Sequence, residues 1–281
     1  DEIVVEDVRV TSASDGIDLE DSDRAAVRRC SVDSSGDDGI AVGVNALVED
    51  CTVIAGGDGI QGGIGSTIRN CSSTATSTGI NAAVRSVVEN CTVIGASTGI
   101  ITAGTARNVT VRDSTQTGIA LSDGGSVSAC SIVNSGGRGI SGGVRVTIDH
   151  CTIDTSATEG IVVGSGSQVR DSVVRRSGTF GINAGSGSTI SGNMVAFFGV
   201  ITPASGSGIA VSSDSVVRGN ILARNTAASI LATGSGNLFE HNSITQNTGA
   251  AIIRGKRSRR TASRARTRNA GHHRERNAAI T

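Results

Sequence analysis

An isoleucine recurs at a nearly fixed spacing along almost the whole chain, and this repeat limits the possible folds more than any other feature. Ten of its twelve copies follow a glycine, and successive copies lie 19 to 27 residues apart, most often 20 or 21. A fixed period of this length is typical of a solenoid, in which each repeat packs only on its neighbours. The copies are Ile17, Ile40, Ile60, Ile80, Ile100, Ile119, Ile140, Ile161, Ile182, Ile209, Ile230 and Ile252.

Each repeat contains three short apolar segments that are too brief to be helices. They alternate apolar and polar residues, are rich in Val and Ile, and are separated by Gly, Ser, Asp and Asn, which is the pattern of short strands. Parallel strands connected from coil to coil are right-handed in nearly all proteins. We therefore predict an all-β fold: a single-stranded right-handed parallel β-helix of about 12 coils, stacked about 4.8 Å apart.

One position of the repeat holds a cysteine in six coils. We predict that it faces inward, where Cys acts as a small buried apolar residue and Asn bonds to the backbone and to its own copies. Reduced thiols are favoured over disulfides, because parallel side chains on stacked coils aim poorly at one another; metal binding is the least favoured alternative. The position is occupied by Val8, Cys30, Cys51, Cys71, Cys91, Val109, Cys130, Cys151, Ser172, Asn193, Asn220 and Asn242. His150 and His241 precede it and are predicted to point outward; with no carboxylate partner at a fixed spacing, neither is a candidate catalyst.

The repeat divides the chain into two regions of opposite charge. Residues 1–253 hold 24 acidic and 15 basic side chains and are predicted to form the β-helix domain. Residues 254–281 hold ten basic side chains and one acidic one, with no apolar pattern, and are predicted to be a disordered basic tail. Two interpretations of this segment are favoured: a solvated tail, or a tail translated from the wrong reading frame of a GC-rich gene. A segment that binds nucleic acid is less favoured.

The chain contains no apolar run long enough to span a membrane and no secretory leader. Because it starts inside the first coil, we expect an upstream segment to be missing. The coil between Asn193 and Ile209 is longer than the others and contains Phe197, Phe198 and Pro203. This insertion is predicted either to wall one end of the sheet or to fold back over apolar surface.

Three aspartates before the Gly-Ile pair carry the strongest chemical signal. Stacking of the coils would place Asp15, Asp38 and Asp58 in one row, about 5 Å apart, with Asp37 beside them. Paired carboxylates at such distances can hydrolyse glycosidic bonds, one as a protonated acid and one ionised. Crowding of like charges supplies that difference by raising one pKa. The same three carboxylates could instead bind Ca²⁺, and no other cofactor is expected.

Residues 14–18 read Ser-Asp-Gly-Ile-Asp, and residues 36–42 read Gly-Asp-Asp-Gly-Ile-Ala-Val. This pair of segments resembles the polygalacturonase-type glycoside hydrolases, which are right-handed parallel β-helices of the pectin-lyase-like type. The resemblance implies that Asp15, Asp37 and Asp38 are catalytic and that the protein is secreted or belongs to the cell envelope. Asp58 stands where that family has histidine, and the family's basic Arg-Ile-Lys clamp for uronate carboxylates has no counterpart.

Further residues on the same side of the coils are candidates for substrate binding. They are Asp18, Asp58, Gln61, Asn81, Arg138 and Phe180. Arg138 and Glu159 occupy the same position in adjacent coils and are predicted to form an ion pair. With neither Tyr nor Trp in the chain, Phe180 is the one aromatic platform predicted for this face.

We therefore expect a carbohydrate-active or polysaccharide-binding β-helix protein, which could be a glycoside hydrolase. A lyase or an epimerase is less favoured. The alternative is a non-catalytic structural or cell-surface protein whose aspartates only stabilise turns. A polysaccharide is the expected partner, and the sequence leaves the oligomeric state open.

Overall fold

The computed structural model describes residues 3–11, 14–196, 207–254 and 266–268, and these residues form three parallel sheets. Each of the first twelve coils contributes one strand to each sheet, in the order A, B, C. Sheet A consists of Val4–Glu6, Ala26–Arg28, Leu47–Glu49, Thr67–Arg69, Val87–Glu89, Thr105–Arg107, Ser126–Ser128, Thr147–Asp149, Gln168–Arg170, Thr189–Ser191, Val216–Arg218 and Leu238–Glu240. Sheet B consists of Arg9–Thr11, Ser31–Ser35, Thr52–Ala55, Ser72–Ala75, Thr92–Ile94, Thr110–Arg112, Ser131–Ser135, Thr152–Ser156, Val173–Ser177, Met194–Ala196, Ile221–Ala223, Ser243–Thr245 and Arg266–Arg268. Sheet C consists of Ile17–Leu19, Ile40–Val42, Ile60–Gly62, Thr78–Ala82, Thr98–Thr102, Thr117–Leu121, Ile140–Gly142, Ile161–Val163, Ile182–Ala184, Ile209–Val211, Ile230–Ala232 and Ile252–Arg254.

The pairing register confirms the predicted parallel β-helix. Ile60 pairs with Ile80, and Ile80 pairs with Ile100, so each copy of the repeat lies directly over the previous one. Sheets A and C each contain twelve strands, which agrees with the predicted number of coils. No helix long and apolar enough to cross a lipid bilayer occurs among the residues described.

The core is built from columns of like aliphatic residues. Ile60, Ile80 and Ile100 of sheet C are fully buried, as are Val48 of sheet A and Val32 of sheet B. Burying a side chain of this size contributes about 1.5–3 kcal/mol to folding. Because every coil repeats the same columns, this stabilisation extends along the whole rod.

The glycine of the Gly-Ile pair is required by the packing between sheets B and C. A Cβ placed on Gly79 would lie 2.1 Å from Cγ1 of Val93 and 2.6 Å from the carbonyl oxygen of Gly99. Gly99 meets Val111 and the carbonyl of Gly118 in the same way. Such contacts are far inside the van der Waals distance, so the glycine lets sheet B valines reach the core.

The cysteine position faces inward, as predicted. All six cysteines are free and buried, and burial raises the pKa of the Cys30 thiol, which keeps it protonated. The asparagines in the later coils form the predicted ladder, with Asn193 bonded to Asn220 and Asn220 bonded to Asn242. At the same position of the first coil, Val8 is 40% exposed.

Two predicted segments fall largely outside the described residues. They are the insertion with Phe197, Phe198 and Pro203, and most of the predicted tail, namely residues 255–265 and 269–281. Within the tail, Arg266–Arg268 pairs with Ser243–Thr245 as the last strand of sheet B, which the sequence interpretation did not predict.

Candidate functional site

The three aspartates before the Gly-Ile pairs form a row at the corner where sheet B leads into sheet C. The amide of Gly16 donates to the carbonyl of Asp38, and the amide of Gly39 donates to the carbonyl of Asp58, each at 2.9 Å. These bonds place Asp15, Asp38 and Asp58 at the same position of three consecutive coils, one directly over the next. The structure thus brings the predicted residues together as neighbours along the rod.

Asp38 is the carboxylate whose acidity the surroundings change. Burial raises the pKa of its carboxyl, and repulsion from Asp58, Asp37 and Asp15 raises it further. A hydrogen bond acts in the opposite direction, because the amide of Asp58 donates to Asp38 Oδ1 at 2.9 Å. The net shift is upward, so this carboxyl holds its proton to a higher pH than an ordinary aspartate.

Asp37 and Asp38 share the space above Gly57 of the next coil. A Cβ on Gly57 would lie 2.7 Å from Asp37 Oδ1 and 2.9 Å from Asp38 Oδ1. The absence of a side chain on Gly57 therefore leaves room for both carboxylates. Asp37 is exposed and Asp38 half-buried, so the two side chains differ in their contact with water.

A small pocket of about 160 Å³ opens next to this row. It is lined by Asp15, Ile17, Asp18, Glu20, Asp38 and Ala41. Glu20 was not predicted as a site residue. It reaches the pocket because the turn after sheet C folds back, with the amide of Glu20 donating to Asp18 Oδ1 at 3.1 Å.

A larger open pocket of about 440 Å³ continues from Glu20 along the outer face of sheet C. Asp18 and Gln61 share one row on this face, because Asp18 and Gln61 both pair with Ala41, and Gln61 in turn pairs with Asn81. Gln61 Nε2 donates to Glu20 across the intervening coil, and Asn81 Nδ2 donates to Asp58 Oδ2 at 3.3 Å. The aliphatic part of the lining includes Val42, Val44, Ile64 and Ala83.

The other predicted binding residues lie elsewhere on the rod. Arg138 is five coils from Asp38, about 24 Å at the usual spacing, and Phe180 is two coils farther. Arg138 forms the predicted ion pair with Glu159 at 3.3 Å. Both line a separate open pocket of about 470 Å³ rich in threonine. Asp38 and Arg138 are therefore too far apart to contact the same sugar unit.

The predicted Ca²⁺ set does not form a compact group of oxygens. In the described part of the chain, the one set of three ligand side chains with atoms within 4.8 Å of one another is Asp149, His150 and Asp171. The carboxylate oxygens of Asp15, Asp38 and Asp58 do not come this close to one another. The sequence interpretation found no carboxylate partner for His150, but His150 Nδ1 lies 2.8 Å from Asp149 Oδ1. The missed partner is simply the preceding residue.

The profile of the family described as "Right handed beta helix region" matches residues 1–116 and 102–264. The chain belongs to this family. Its membership confirms the predicted right-handed coiling, and the right-handed β-helix is the frame that carries the aspartate row.

Solved structures similar to this right-handed β-helix act on polysaccharides, according to their names. The A-module of mannuronan C-5 epimerase AlgE6 of Azotobacter vinelandii is 14% identical over 96% of this chain and 91% of its own, with a TM-score of 0.73. The periplasmic alginate epimerase AlgG is 10% identical over 95% and 77%, with a TM-score of 0.55. An alginate lyase from Paenibacillus sp. str. FPU-7 is 14% identical over 88% and 98%, with a TM-score of 0.52. At these identities the likeness concerns the fold. No curated protein matches the sequence.

Proposed function

We propose that this β-helix protein binds a polysaccharide along the outer face of sheet C and hydrolyses its glycosidic bonds at the aspartate row. The observation that carries the proposal is Asp38, whose carboxyl pKa is raised by burial beside a pocket that holds Asp15, Asp18 and Glu20. A carboxyl that keeps its proton next to ionised carboxylates is the arrangement that glycoside hydrolysis requires.

The roles follow from the surroundings of each carboxylate. Asp38 gives its proton to the oxygen of the leaving sugar, because it is the group with the raised pKa. Asp15 is exposed and lies one coil away, about 5 Å at the usual spacing, which suits a carboxylate that attacks the anomeric carbon directly. Asp37 is exposed, and its repulsion is one of the causes that raise the pKa of Asp38.

The larger pocket is proposed to hold the sugar units that flank the cleaved bond. The amides of Gln61 and Asn81 can exchange hydrogen bonds with sugar hydroxyls, and the aliphatic lining can contact the C–H face of a ring. The names of the similar structures support a polysaccharide substrate. The acidic lining favours a neutral polysaccharide over the uronate chains in those names, since like charges repel. With such a substrate, the protein would act in the cell envelope or outside the cell.

The test is release of reducing ends from a panel of neutral and uronate polysaccharides by wild-type protein and by Asp38→Asn. We expect activity on a neutral glycan and a loss of about 10²-fold or more in the variant, the usual contribution of a general acid. Asp123→Asn is the matched control, because Asp123 Oδ1 also accepts an amide of the next coil, from Val144 at 2.8 Å. It should keep full activity. Equal activity of wild type and Asp38→Asn would refute the assigned role, and formation of unsaturated uronate ends or of epimerised uronate would replace hydrolysis by lyase or epimerase chemistry.

A non-catalytic structural role is the second candidate, and a specific observation favours it. Asp38 Oδ1 accepts the amide of Asp58, and Asp58 Oδ1 accepts the amide of Thr78, so these carboxylates join consecutive coils just as Asp123 does. If the aspartates serve only this purpose, no glycan is cleaved. Asp38→Ala and Asp123→Ala, which each remove an acceptor of the next coil's amide, then lower the melting temperature by similar amounts, which thermal unfolding of the two variants measures.

A further inference from the structure

A group of three side chains with metal-binding atoms lies at a different corner of the coils, where sheet A leads into sheet B. Asp149 ends the strand Thr147–Asp149, and His150 follows it. Asp171 occupies the position of His150 in the next coil, because the amide of His150 donates to the carbonyl of Arg170 at 3.2 Å. Both corner residues have a left-handed backbone, with φ of 51° at His150 and 49° at Asp171. The side chains of His150 and Asp171 therefore point outward next to each other from two successive coils.

The distances are close to those of a coordination sphere. One ligand atom from each of the three side chains lies within 4.8 Å of the other two, and His150 Nδ1 is 2.8 Å from Asp149 Oδ1. Ligand atoms around a tetrahedral Zn²⁺ are about 3.3 Å apart when the bonds are 2.0–2.1 Å long. The required shifts are small, and they are feasible because the side chain of His150 is 67% exposed.

The charges at this corner leave one carboxylate without compensation. Arg170 contacts both oxygens of Asp149, with Nε 3.0 Å from Oδ1 and Nη2 3.3 Å from Oδ2, and so holds that carboxylate in place. Asp171 is exposed, and its carboxylate has no hydrogen bond or ion pair with any other residue described in the structure. The three ionised groups carry a net charge of −1 beside an imidazole nitrogen. A divalent cation would reverse that charge without breaking an existing contact of Asp171.

We propose that Asp149, His150 and Asp171 bind a divalent metal ion of the zinc class and so link two successive coils. One imidazole nitrogen with two carboxylate oxygens suits Zn²⁺ and its neighbours in the transition series better than Ca²⁺ or Mg²⁺, which prefer oxygen alone. Water completes the sphere at this exposed corner. The site stands on residues that the polysaccharide proposal does not use, so either proposal can fail without the other.

Calorimetric titration of the full chain with ZnCl₂ tests the site. Wild-type protein should show a binding site that His150→Ala and Asp171→Asn each weaken about tenfold or more, which is at least the usual effect of disturbing a metal site. His241→Ala is the control, because His241 occupies the same position of the repeat and follows Glu240, but among the described residues it belongs to no group of three ligand side chains. This variant should bind Zn²⁺ as the wild type does.

The variants also decide whether two coils share the ion. Loss of binding in both His150→Ala and Asp171→Asn, with binding kept in His241→Ala, supports the site. If wild-type protein does not bind Zn²⁺, or if Asp171→Asn binds it as the wild type does, the proposal is overturned. A bound ion should also raise the melting temperature of the wild type but not of Asp171→Asn, since a ligand of the native state stabilises it.

Discussion

The residue that precedes the cysteine position turns the chain at the corner between sheets A and B, and it has a positive φ in coil after coil. The angle is 56° at Asp50, 55° at Asn70, 54° at Asn90 and 52° at Ala129. The left-handed conformation costs most L-residues about 1–2 kcal/mol, but Asn and Asp adopt it more easily. Asn70 also donates to Asp50 Oδ1 at 3.1 Å, and Asn90 donates to Asn70 Oδ1 at 3.2 Å. Repeated Asp and Asn at this position are thus explained by both the backbone and the ladder of side-chain bonds.

Ala129 holds this position two coils beyond Asn90, and replacing it with asparagine should stabilise the protein. Ala129→Asn relieves part of the left-handed strain and lets the new amide bond to Asn108 in the preceding coil. We expect a gain of about 1 kcal/mol, measured as a rise in the midpoint of denaturation. Ala157→Asn is the control, because Ala157 is also exposed in a turn but has no positive φ. An equal change in both variants would contradict the explanation.

The inward position after each strand of sheet A is occupied by chemically different residues in different coils. In the middle coils the inward position holds cysteine, and the thiol of Cys91, a weak donor, contacts the carbonyl of Glu89 at 3.2 Å and that of Ile68 at 3.7 Å. In the last coils Asn220 is fully buried and donates to the carbonyls of Ile190 and Arg218. The cysteine fills space, whereas the asparagine satisfies backbone groups of two neighbouring coils.

Truncation to alanine should separate these two roles. Asn220→Ala leaves several buried donors and acceptors without partners, including the amide of Asn193, which now bonds to Asn220 Oδ1 at 2.9 Å. Each such group costs about 1–3 kcal/mol, so we expect a loss of about 3 kcal/mol or more. Cys91→Ala removes one sulfur atom and should cost about 1 kcal/mol. Chemical denaturation of the two variants measures the difference, and equal losses would show that the asparagine ladder adds nothing beyond packing.

The sequence predicts the strands and columns well because backbone hydrogen bonds lock each coil onto the previous one. Once the period is known, Asp15, Asp38 and Asp58 must be neighbours, and Cys30 and Asn193 must share an environment. The contacts missed are those of long polar side chains that cross a coil or turn toward a neighbour. The bond from Gln61 to Glu20 depends on the rotamers of both side chains over small residues of the intervening coil, and the period does not specify rotamers.

Over the whole molecule, charges of alternating sign follow the outer edge of sheet A. Arg28 lies 3.0 Å from Glu6 and 3.7 Å from Glu49, and Arg69 lies 2.7 Å from Glu49. Glu89 and Arg107 continue the alternation as a pair. Hydrogen bonds from Arg28 and Arg29 lower the pKa of Glu6, as expected for a carboxylate held between cations. From Glu6 to Arg107, each coil therefore carries a charge opposite to that of the next, and this ladder favours the observed register over a shift by one coil.

Reversing one charge should show how far the ladder contributes to the stability of the rod. Glu49→Lys would place three cations in a row, with Arg28 below and Arg69 above, and should lower the free energy of unfolding by about 1–2 kcal/mol at low salt. Glu49→Gln removes the attraction without adding repulsion and should cost less, because an exposed pair is worth about 0.2–1 kcal/mol. Since salt screens charges at the surface, thermal unfolding at high ionic strength should bring Glu49→Lys toward Glu49→Gln. If the two variants unfold at the same temperature at both ionic strengths, the alternation is a by-product of the repeat and does not stabilise the stacking of the coils.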